Sequence, residues 1–381
     1  QAHQLIGLTA LQLGQMEPAE KAMREAIRLV PNNANFLVNF VEVLRKADKS
    51  KEAVEIGWRA VQFAPKLASA HSNLGLAYYD TENLEQAETS QLNALKLDEN
   101  FVPALNNLGS IARDNKDEAT AISYYRRVLE VDGNYLETAN NLISVLIETE
   151  ALDDACVLTE DYLSRAPKSA DLNRNRGRLH LLSGELDEAE KMFRTAITLE
   201  PDKPDAYVGL SQVLFEKNHP DLALIEAETA LRIDPEYAGA YHYTGKCKAQ
   251  LGDIDAGFAN YEKSLELNPG FTGSLIALGH LEMERGAFKA ARKLFEEAAT
   301  YEKAHLSAHI ALARLDKITP DDPSFKVLEE AKQGADGMLP DQAVAFHYAL
   351  GKCYEDLQRH DEAFDNFAKG AAIKRRLIKF D

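Results

Sequence analysis

The sequence predicts an all-α fold built from about eleven stacked helical hairpins. Three kinds of residue recur at multiples of one 34-residue period and carry this prediction. The first is glycine, at Gly7, Gly75, Gly109, Gly177, Gly245 and Gly279. The second is alanine, at Ala19, Ala53, Ala87, Ala121, Ala155, Ala189, Ala223 and Ala291. The third is proline, at Pro31, Pro65, Pro167, Pro201, Pro235 and Pro269.

Each marker has its place within a two-helix repeat. In the sixth repeat, "DLNRNRGRLHLLSG" has the pattern of a first helix and "ELDEAEKMFRTAITLEP" that of a second. The small residues at the glycine and alanine positions let the two helices approach closely. Proline follows the second helix because it cannot continue one. A further set of glycines shares the position where the first helix ends and favours a left-handed residue there: Gly14, Gly184, Gly252 and Gly286.

A single helical hairpin cannot cover its own apolar face, so successive hairpins are expected to stack. We place the repeats at 1–33, 34–67, 68–101, 102–135, 136–169, 170–203, 204–237, 238–271, 272–305, 306–343 and 344–377, with a linker beginning at 378–381. The tenth repeat is longer than the others, within a stretch rich in Pro, Asp and Gly. A lengthened turn is therefore predicted there.

The small–large–small pattern in "NLGLAYYDTENLEQAETSQLNALKLD" and "AYHYTGKCKAQLGDIDAGFANYEKSLELNP" resembles the tetratricopeptide repeat (TPR) family. The resemblance covers positions 1–377. It implies a right-handed superhelical solenoid whose first helices line a concave groove. Such a groove suits extended ligands, so we expect a protein–protein interaction scaffold that binds an extended peptide or a partner protein.

One position of the first helix is asparagine in five successive repeats: Asn39, Asn73, Asn107, Asn141 and Asn175. An asparagine amide offers both a donor and an acceptor, so a row of them can grip a peptide backbone. The row is similar to the asparagine ladder in the TPR arm of O-linked N-acetylglucosamine transferase. The alternative is that these amides hydrogen-bond within the groove or to water. The row ends after the sixth repeat, so a ladder is expected only in the N-terminal half.

The C-terminal half of the groove has a different character. Tyr243, His242 and His280 are secondary groove candidates, because aromatic and titratable groups can select side chains of a ligand. Their neighbour Tyr241 is interpreted as the large packing residue of its repeat, since large aromatic side chains are mostly buried.

Signatures of catalysis and of cofactor binding are not found in the sequence. It has no Gly-rich phosphate loop, no Ser elbow and no HExxH motif, so no catalytic residue and no cofactor is predicted. His305 and His309 have a spacing that can hold a metal, but no third ligand cluster accompanies them, and no metal site is predicted. The single Trp58 lies on a second helix and is predicted to belong to the core.

Composition limits the partners. The 61 acidic against 43 basic residues give a formal charge of -18, which argues against nucleic-acid binding. No apolar run approaches the ~18 residues that cross a bilayer, so no membrane partner is expected. Three cysteines, odd in number and far apart, indicate a reducing compartment, and with no signal peptide we expect a cytoplasmic protein.

The last repeat carries a second resemblance. The stretch from Phe346 to Asp381 is similar to the junction that precedes the catalytic domain in bacterial TPR–sulfotransferase fusion proteins. Fourteen positions match: Phe346, Ala349, Leu350, Gly351, Lys352, Glu355, Asp356, Leu357, Ala363, Phe364, Gly370, Lys374, Arg375 and Asp381. Ala371 and Phe380 depart mildly from that pattern. The resemblance implies an alternative function, the substrate-recognition arm of a larger sulfotransferase whose catalytic domain follows.

The sulfate-donor loop of that family does not occur within the 381 residues, so this chain is not expected to transfer sulfate by itself. An apolar face of the last helix, which includes Phe364 and Phe367, runs on to Ile378. Without a domain to cover that face, end-to-end self-association is expected.

Overall fold

The computed structural model describes residues 1–301, 305–338 and 340–377. These residues form 22 α-helices and one 3-10 helix, with no β-strand among them, which confirms the all-α prediction. The predicted linker at 378–381 lies outside the described residues. The chain divides into two compact units, unit 1 (Gln1–Leu179) and unit 2 (His180–Asp381).

Unit 1 contains five complete hairpins. Its helices are α1 (Ala2–Gln12), α2 (Met16–Leu29), α3 (Ala34–Lys46), α4 (Ser50–Phe63), α5 (Ala68–Tyr79), α6 (Leu84–Leu97), α7 (Val102–Asp114), α8 (Glu118–Val131), α9 (Leu136–Glu148) and α10 (Leu152–Arg165). The division between the units falls within α11 (Ala170–Leu182).

Unit 2 continues the alternation of first and second helices. Its helices are α12 (Leu186–Leu199), α13 (Pro204–Glu216), α14 (Pro220–Ile233), α15 (Ala238–Gln250), α16 (Ile254–Leu267), α17 (Thr272–Glu284), α18 (Phe288–Ala299), α19 (His305–Leu315), α20 (Pro323–Ala331), the 3-10 helix (Lys332–Gly337), α21 (Pro340–Asp356) and α22 (His360–Leu377). The first helices from α3 to α17 begin at one regular interval, which is the period of the sequence repeat.

The first helices form one surface of each unit. Successive first helices contact one another, as α1–α3, α3–α5 and α5–α7 do in unit 1 and α13–α15, α15–α17, α17–α19 and α19–α21 do in unit 2. Among the described residues, no two second helices make comparable contact. Side chains that project from the first helices of one unit are therefore brought close together.

The recurring glycines let the two helices of a hairpin pack closely. In five hairpins an added Cβ on the glycine would collide with the side chain at one fixed position of the second helix: Gly7 with Met23, Gly75 with Gln91, Gly109 with Tyr125, Gly279 with Phe295, and Gly351 with Phe367. In a sixth hairpin, a Cβ on Gly245 would lie in tight contact with Tyr261 at the same position, 3.0 Å from its Cδ1. Because the glycine has no side chain, the large residue of the second helix lies directly against the backbone of the first. The pairing explains why glycine recurs at this position.

The turn between the two helices has a left-handed residue, as predicted. Gly14, Gly184, Gly252 and Gly286 have φ between 70° and 92°. The equivalent residue in six other hairpins is not glycine but has φ of 56–62°: Asp48, Glu82, Lys116, Glu150, Asn218 and Gln358. The turn geometry is therefore common to both sets, and glycine is only its least strained occupant.

The prediction that Trp58 belongs to the core is wrong. Its side chain is 55% exposed, and its indole N–H donates to the Tyr78 hydroxyl at 2.6 Å. The preceding residue, Gly57, lies one repeat period after the buried Met23 and therefore has the inward position of its helix. One residue further along an α-helix turns the side chain by ~100°, which directs Trp58 outward.

The lengthened turn of the tenth repeat lies between α19 and α20, at residues 316–322, where other hairpins have shorter turns such as 47–49. Ile318 anchors this turn, because its side chain is buried and its backbone N–H donates to Asp356 Oδ2 at 2.9 Å. Asp322 ends the turn by capping α20, accepting from the Ser324 N–H at 2.8 Å.

Candidate functional site

The five predicted asparagines occupy the sixth position of α3, α5, α7, α9 and α11, and so lie on the first-helix surface of unit 1. Four of them are partly exposed, and Asn175 is fully buried. No other polar residue type recurs at one position across these five helices. The row that the sequence predicts is therefore a structural row on neighbouring helices.

Three of these asparagines bridge adjacent first helices. Asn73 Nδ2 donates to the Val38 carbonyl oxygen at 3.0 Å. Asn107 Nδ2 donates to Ser72 Oγ at 3.4 Å, and Asn175 Nδ2 donates to Asn140 Oδ1 at 2.6 Å. Each bond reaches back to the first helix of the preceding repeat. The donor half of these amides thus links one repeat to the one before it.

The hydrogen bonds determine what each amide can still offer a ligand. Asn73 and Asn107 retain the acceptor Oδ1. Asn175 retains neither half, because its Oδ1 accepts from Arg178 Nη1 at 3.4 Å. Asn39 and Asn141 have no side-chain hydrogen bond within the described part of the chain, so both halves of their amides are open to a ligand.

Sequence reasoning missed a second pair of asparagines on this surface. Asn106 and Asn140 precede the ladder residues of α7 and α9. The Asn106 Oδ1 accepts from Thr138 Oγ1 at 2.6 Å, and the Asn140 Oδ1 accepts from Asn175. The signal was present in the sequence as an Asn-Asn dipeptide that recurs one period later.

Hydroxyl groups extend this neutral polar surface. Ser110 donates to the Asn106 carbonyl oxygen at 3.3 Å, and Ser144 donates to the Asn140 carbonyl oxygen at 3.0 Å. Each serine lies one helical turn after its acceptor on the same helix. Asn106 with Ser110 on α7 and Asn140 with Ser144 on α9 are therefore matching amide–hydroxyl pairs.

The three groove candidates of unit 2 pack among aromatic side chains. The His242 ring lies 5.0 Å from the Tyr243 ring and 5.1 Å from Phe271, measured between centroids. The His280 ring lies edge-on, 5.2 Å from Phe295. His242 and Tyr243 are therefore neighbours, whereas His280 contacts the core residue that follows it on α18.

A chain of hydroxyls fixes the His242 tautomer. Ser264 Oγ donates to the Ala238 carbonyl oxygen at 2.9 Å, and Ser274 Oγ donates to Ser264 Oγ at 2.9 Å. With its own proton committed, the Ser274 hydroxyl accepts from His242 Nδ1 at 3.1 Å. The proton of the neutral imidazole is thus held on Nδ1, and Nε2 is left as an acceptor.

Burial controls the ionisation of these groups. It lowers the pKa of His242 to about 3, and the positive charge of Lys246 acts in the same direction. Burial also lowers the pKa of His280 and raises the pKa of the Tyr243 hydroxyl. All three side chains are therefore uncharged near neutral pH.

His305 and His309 each engage Nδ1 in a hydrogen bond. The His309 Nδ1 hydrogen-bonds to Ser324 Oγ at 3.0 Å, and the His305 Nδ1 to the Ala299 carbonyl oxygen at 2.9 Å. Across residues 1–301, 305–338 and 340–377, no three His, Cys, Asp or Glu side chains come together in a way that could hold a metal ion. Among the same residues, no helix has the length and apolar content that a bilayer crossing requires.

A large concavity on unit 1 lies away from the asparagines. It has a volume of about 950 Å³ beside α1 and α2. The charged side chains that line it largely form salt bridges with one another. Glu20, for example, pairs with both Arg24 at 2.8 Å and Lys49 at 2.7 Å. This concavity offers a ligand little uncompensated charge.

Comparison with known proteins agrees with the repeat fold. Profiles described as tetratricopeptide repeat match residues 1–33, 72–135, 180–245, 238–271 and 344–376, which together exceed half of the chain. Tetratricopeptide repeat protein 17 of Rattus norvegicus and that of Homo sapiens are each 32% identical over 93 residues. The matched stretch covers 24% of this chain and 8% of each relative.

Two solved structures are similar over nearly the whole chain. The human IFIT1 dimer with m7Gppp-AAAA has a TM-score of 0.59 at 14% identity, covering 98% of this chain and 89% of that one. The APC/C hetero-tetramer Cut9-Hcn1 has a TM-score of 0.56 at 14% identity, covering 98% and 93%. At this identity the likeness establishes the fold alone.

Proposed function

Because the chain belongs to the tetratricopeptide repeat family, we propose that it is a non-catalytic scaffold that binds an extended peptide or a partner protein on the first helices of its repeats. The observation that carries this proposal is the row of amides at one position of α3, α5, α7, α9 and α11. An extended backbone has unpaired N–H and C=O groups along its length, and amides can pair with both.

The contacts of each amide support different roles for the five asparagines in peptide binding. Asn39 and Asn141 can pair with a peptide through both Nδ2 and Oδ1. Asn73 and Asn107 use Nδ2 to hold the neighbouring helix, so they would accept from a peptide N–H through Oδ1. Asn175 would act through Asn140, which it contacts directly. In unit 2, Tyr243, His242 and His280 would contact side chains of the bound partner.

The test begins with peptide selection. A displayed library of random dodecapeptides is screened against the full chain, and a selected peptide is synthesised for calorimetric titration. Combined substitution Asn39→Ala and Asn141→Ala should weaken its binding at least about fivefold, since each amide contributes one or two hydrogen bonds of ~0.5–1.5 kcal/mol. The melting temperature should hardly change, because neither amide bonds to another helix.

Two further variants control this experiment. Asn93→Ala removes a chemically identical side chain from the second helix α6 and should leave binding unchanged. Asn73→Ala removes the bond to the Val38 carbonyl and should lower stability. Unaltered affinity in the Asn39 and Asn141 double variant would mean that peptides bind elsewhere on the solenoid.

A second proposed function is the recognition arm of a sulfotransferase. It is supported by the resemblance of the last repeat and by the length of α22, which has 18 residues where the second helices from α12 to α20 have 9–14. Phe364 is 72% exposed on this helix. The experiment is to read the coding sequence beyond Asp381 and assay the longer protein with a phosphosulfate donor and a hydroxyl acceptor. Sulfate transfer is expected, and a stop codon at that point would refute this second proposal.

A further inference from the structure

We propose that α9 selects two adjacent basic residues, Lys or Arg, in an extended peptide bound by the asparagine row. The peptide backbone crosses α9 at Asn141, and the two basic side chains pair with Glu137 on one side and Glu148 on the other. Both carboxylates belong to α9 itself. The inference rests on the proposed peptide-binding function and deepens it, because it names the chemistry of the bound segment.

Glu137, Asn141 and Glu148 lie on one face of α9. Glu137 precedes Asn141 by four residues and Glu148 follows it by seven, so both lie within about 40° of Asn141 around the helix axis. Along the axis, Glu137 lies ~6 Å before Asn141 and Glu148 ~10.5 Å after it. Because helical side chains lean toward the N-terminus, that of Glu148 leans back toward Asn141. The open amide of Asn141 is therefore flanked by a carboxylate on each side.

The two carboxylates of α9 are not neutralised within the described part of the chain. Glu137 is exposed and Glu148 half-buried, and neither forms an ion pair or a side-chain hydrogen bond there. The other acidic side chains on or at the end of the first helices of unit 1 do have partners: Glu42 and Asp80 with Arg45, Asp114 with the Tyr79 hydroxyl, and Asp171 with Arg174. Since α9 has no basic residue, it retains two negative charges for a ligand.

The arginines of the next first helix, α11, do not supply the missing positive charge. Arg174 pairs with Asp171 at 2.9 Å, and Arg176 pairs with Glu160 at 3.1 Å. The Arg178 Nη1 donates to Asn175 at 3.4 Å. None of these contacts involves a carboxylate of α9.

The position of Glu148 favours a bound cation. Glu148 is the last residue of α9, where the helix dipole presents its negative end and a carboxylate is unfavourable. The last turn of α9 has no basic residue to offset it, whereas α3 has Arg45 and Lys46 there and α7 has Arg113. A basic side chain of the ligand would provide this counter-charge.

An extended backbone that crosses α9 directs its side chains toward these carboxylates. When its N–H and C=O groups face the Asn141 amide, its side chains project at right angles to those groups, along the axis of α9. Successive side chains of an extended chain point in opposite directions, so adjacent residues face Glu137 and Glu148 respectively. Residues two positions apart face the same carboxylate. The long, flexible stems of Lys and Arg let their charges reach both.

The experiment measures binding of three rhodamine-labelled peptides to the full chain by fluorescence anisotropy. The probe is Thr-Val-Thr-Arg-Arg-Thr-Val-Thr-amide, and a second peptide has citrulline in place of both arginines, which removes their charge. The third is Thr-Val-Arg-Thr-Arg-Thr-Val-Thr-amide, with the same composition and its arginines two positions apart. The probe should bind about fivefold more tightly than the citrulline peptide at low salt, and about twofold more tightly than the third peptide. Both preferences should shrink in 0.5 M NaCl, because salt screens exposed charges.

The double variant Glu137→Gln and Glu148→Gln keeps the size of both side chains and removes their charge. It should bind the probe about fivefold more weakly and the citrulline peptide as the native chain does. The matched control is Glu118→Gln with Glu130→Gln, which removes the same charge from the first and last turns of the second helix α8. This control should retain the preference for the probe, since those carboxylates are not on the first-helix surface.

Three results would each overturn the inference: equal binding of the probe and the citrulline peptide, an unaltered preference in the α9 double variant, or no binding of the probe at millimolar protein. An equal loss of preference in the α8 control would overturn it as well, because the attraction would then come from net charge. If the two peptides bind equally and the Asn39→Ala and Asn141→Ala variant weakens both, the selection of basic residues fails while the proposed function stands.

Discussion

Replacement of Gly279 by alanine is expected to destabilise unit 2 by about 1–3 kcal/mol. The added Cβ would lie 2.4 Å from Phe295 Cε1, well inside contact distance. Phe295 is completely buried on α18, so its ring cannot move aside into solvent. The direction of the effect is diagnostic, because alanine in place of glycine at an unobstructed helix position stabilises by ~1 kcal/mol.

Urea unfolding followed by circular dichroism measures the change, and a double-mutant cycle identifies its cause. Phe295→Leu removes the colliding ring edge, so Gly279→Ala should cost less in that background than in the native one. Gly334→Ala is the control, since a Cβ there meets nothing within 4 Å. Strictly additive effects of the two substitutions would show that the ring contact is not the reason for glycine at this position.

The repeat pattern predicts most of the fold because each recurring residue makes its contacts within its own hairpin. Gly279 and Gly109 are required by contacts with Phe295 and Tyr125 in their own hairpins, and such contacts recur with the period. The core prediction for Trp58 was wrong because it rested on the size and apolar character of the side chain, whereas the neighbouring Gly57 has the inward position. The helical phase, rather than the residue type, decides which side chain faces the core.

The candidate site could be predicted only in part. The period places Asn73 and Asn107 on one surface, but it does not reveal which half of each amide remains available. The available half of each amide depends on Val38 and Ser72, which accept its hydrogen bond. These acceptors lie on the preceding first helices, one position before the asparagine of the same helix.

Asn106 and Asn140 were missed for the same reason. Their orientation is set by Thr138 and Asn175 on the following first helices. The pattern along one helix does not contain those contacts, because they form only when neighbouring repeats stack.

Acidification is expected to loosen the hairpins around His242. An unfolded histidine has a pKa near ~6.5, and burial lowers that of folded His242 to about 3. Between these values the unfolded chain binds more protons, so stability falls as the pH drops below about 6.5, and the loss is complete near pH 3. By pH 5 the loss amounts to about 2 kcal/mol, at ~1.4 kcal/mol for each pH unit.

The contacts of His242 explain why protonation is opposed. Its Nδ1 already donates to Ser274, so a second proton would go to Nε2. The rings of Tyr261 and Phe271 pack against the imidazole at 5.5 and 5.1 Å, and neither carries a negative charge near neutral pH. Lys246, one helical turn away, adds a positive charge that further disfavours the imidazolium.

Hydrogen exchange of peptides from α15 to α17, corrected for the intrinsic pH dependence, measures this effect at pH 7 and pH 5. His242→Gln keeps an amide donor in reach of Ser274 and cannot titrate, so its protection should fall less on acidification than that of the native chain. His219→Gln changes an exposed histidine of the same unit and should behave as the native chain does. Equal loss of protection in the native chain and in His242→Gln would assign the acid sensitivity to other groups, such as His280 and His309, whose pKa values burial also lowers.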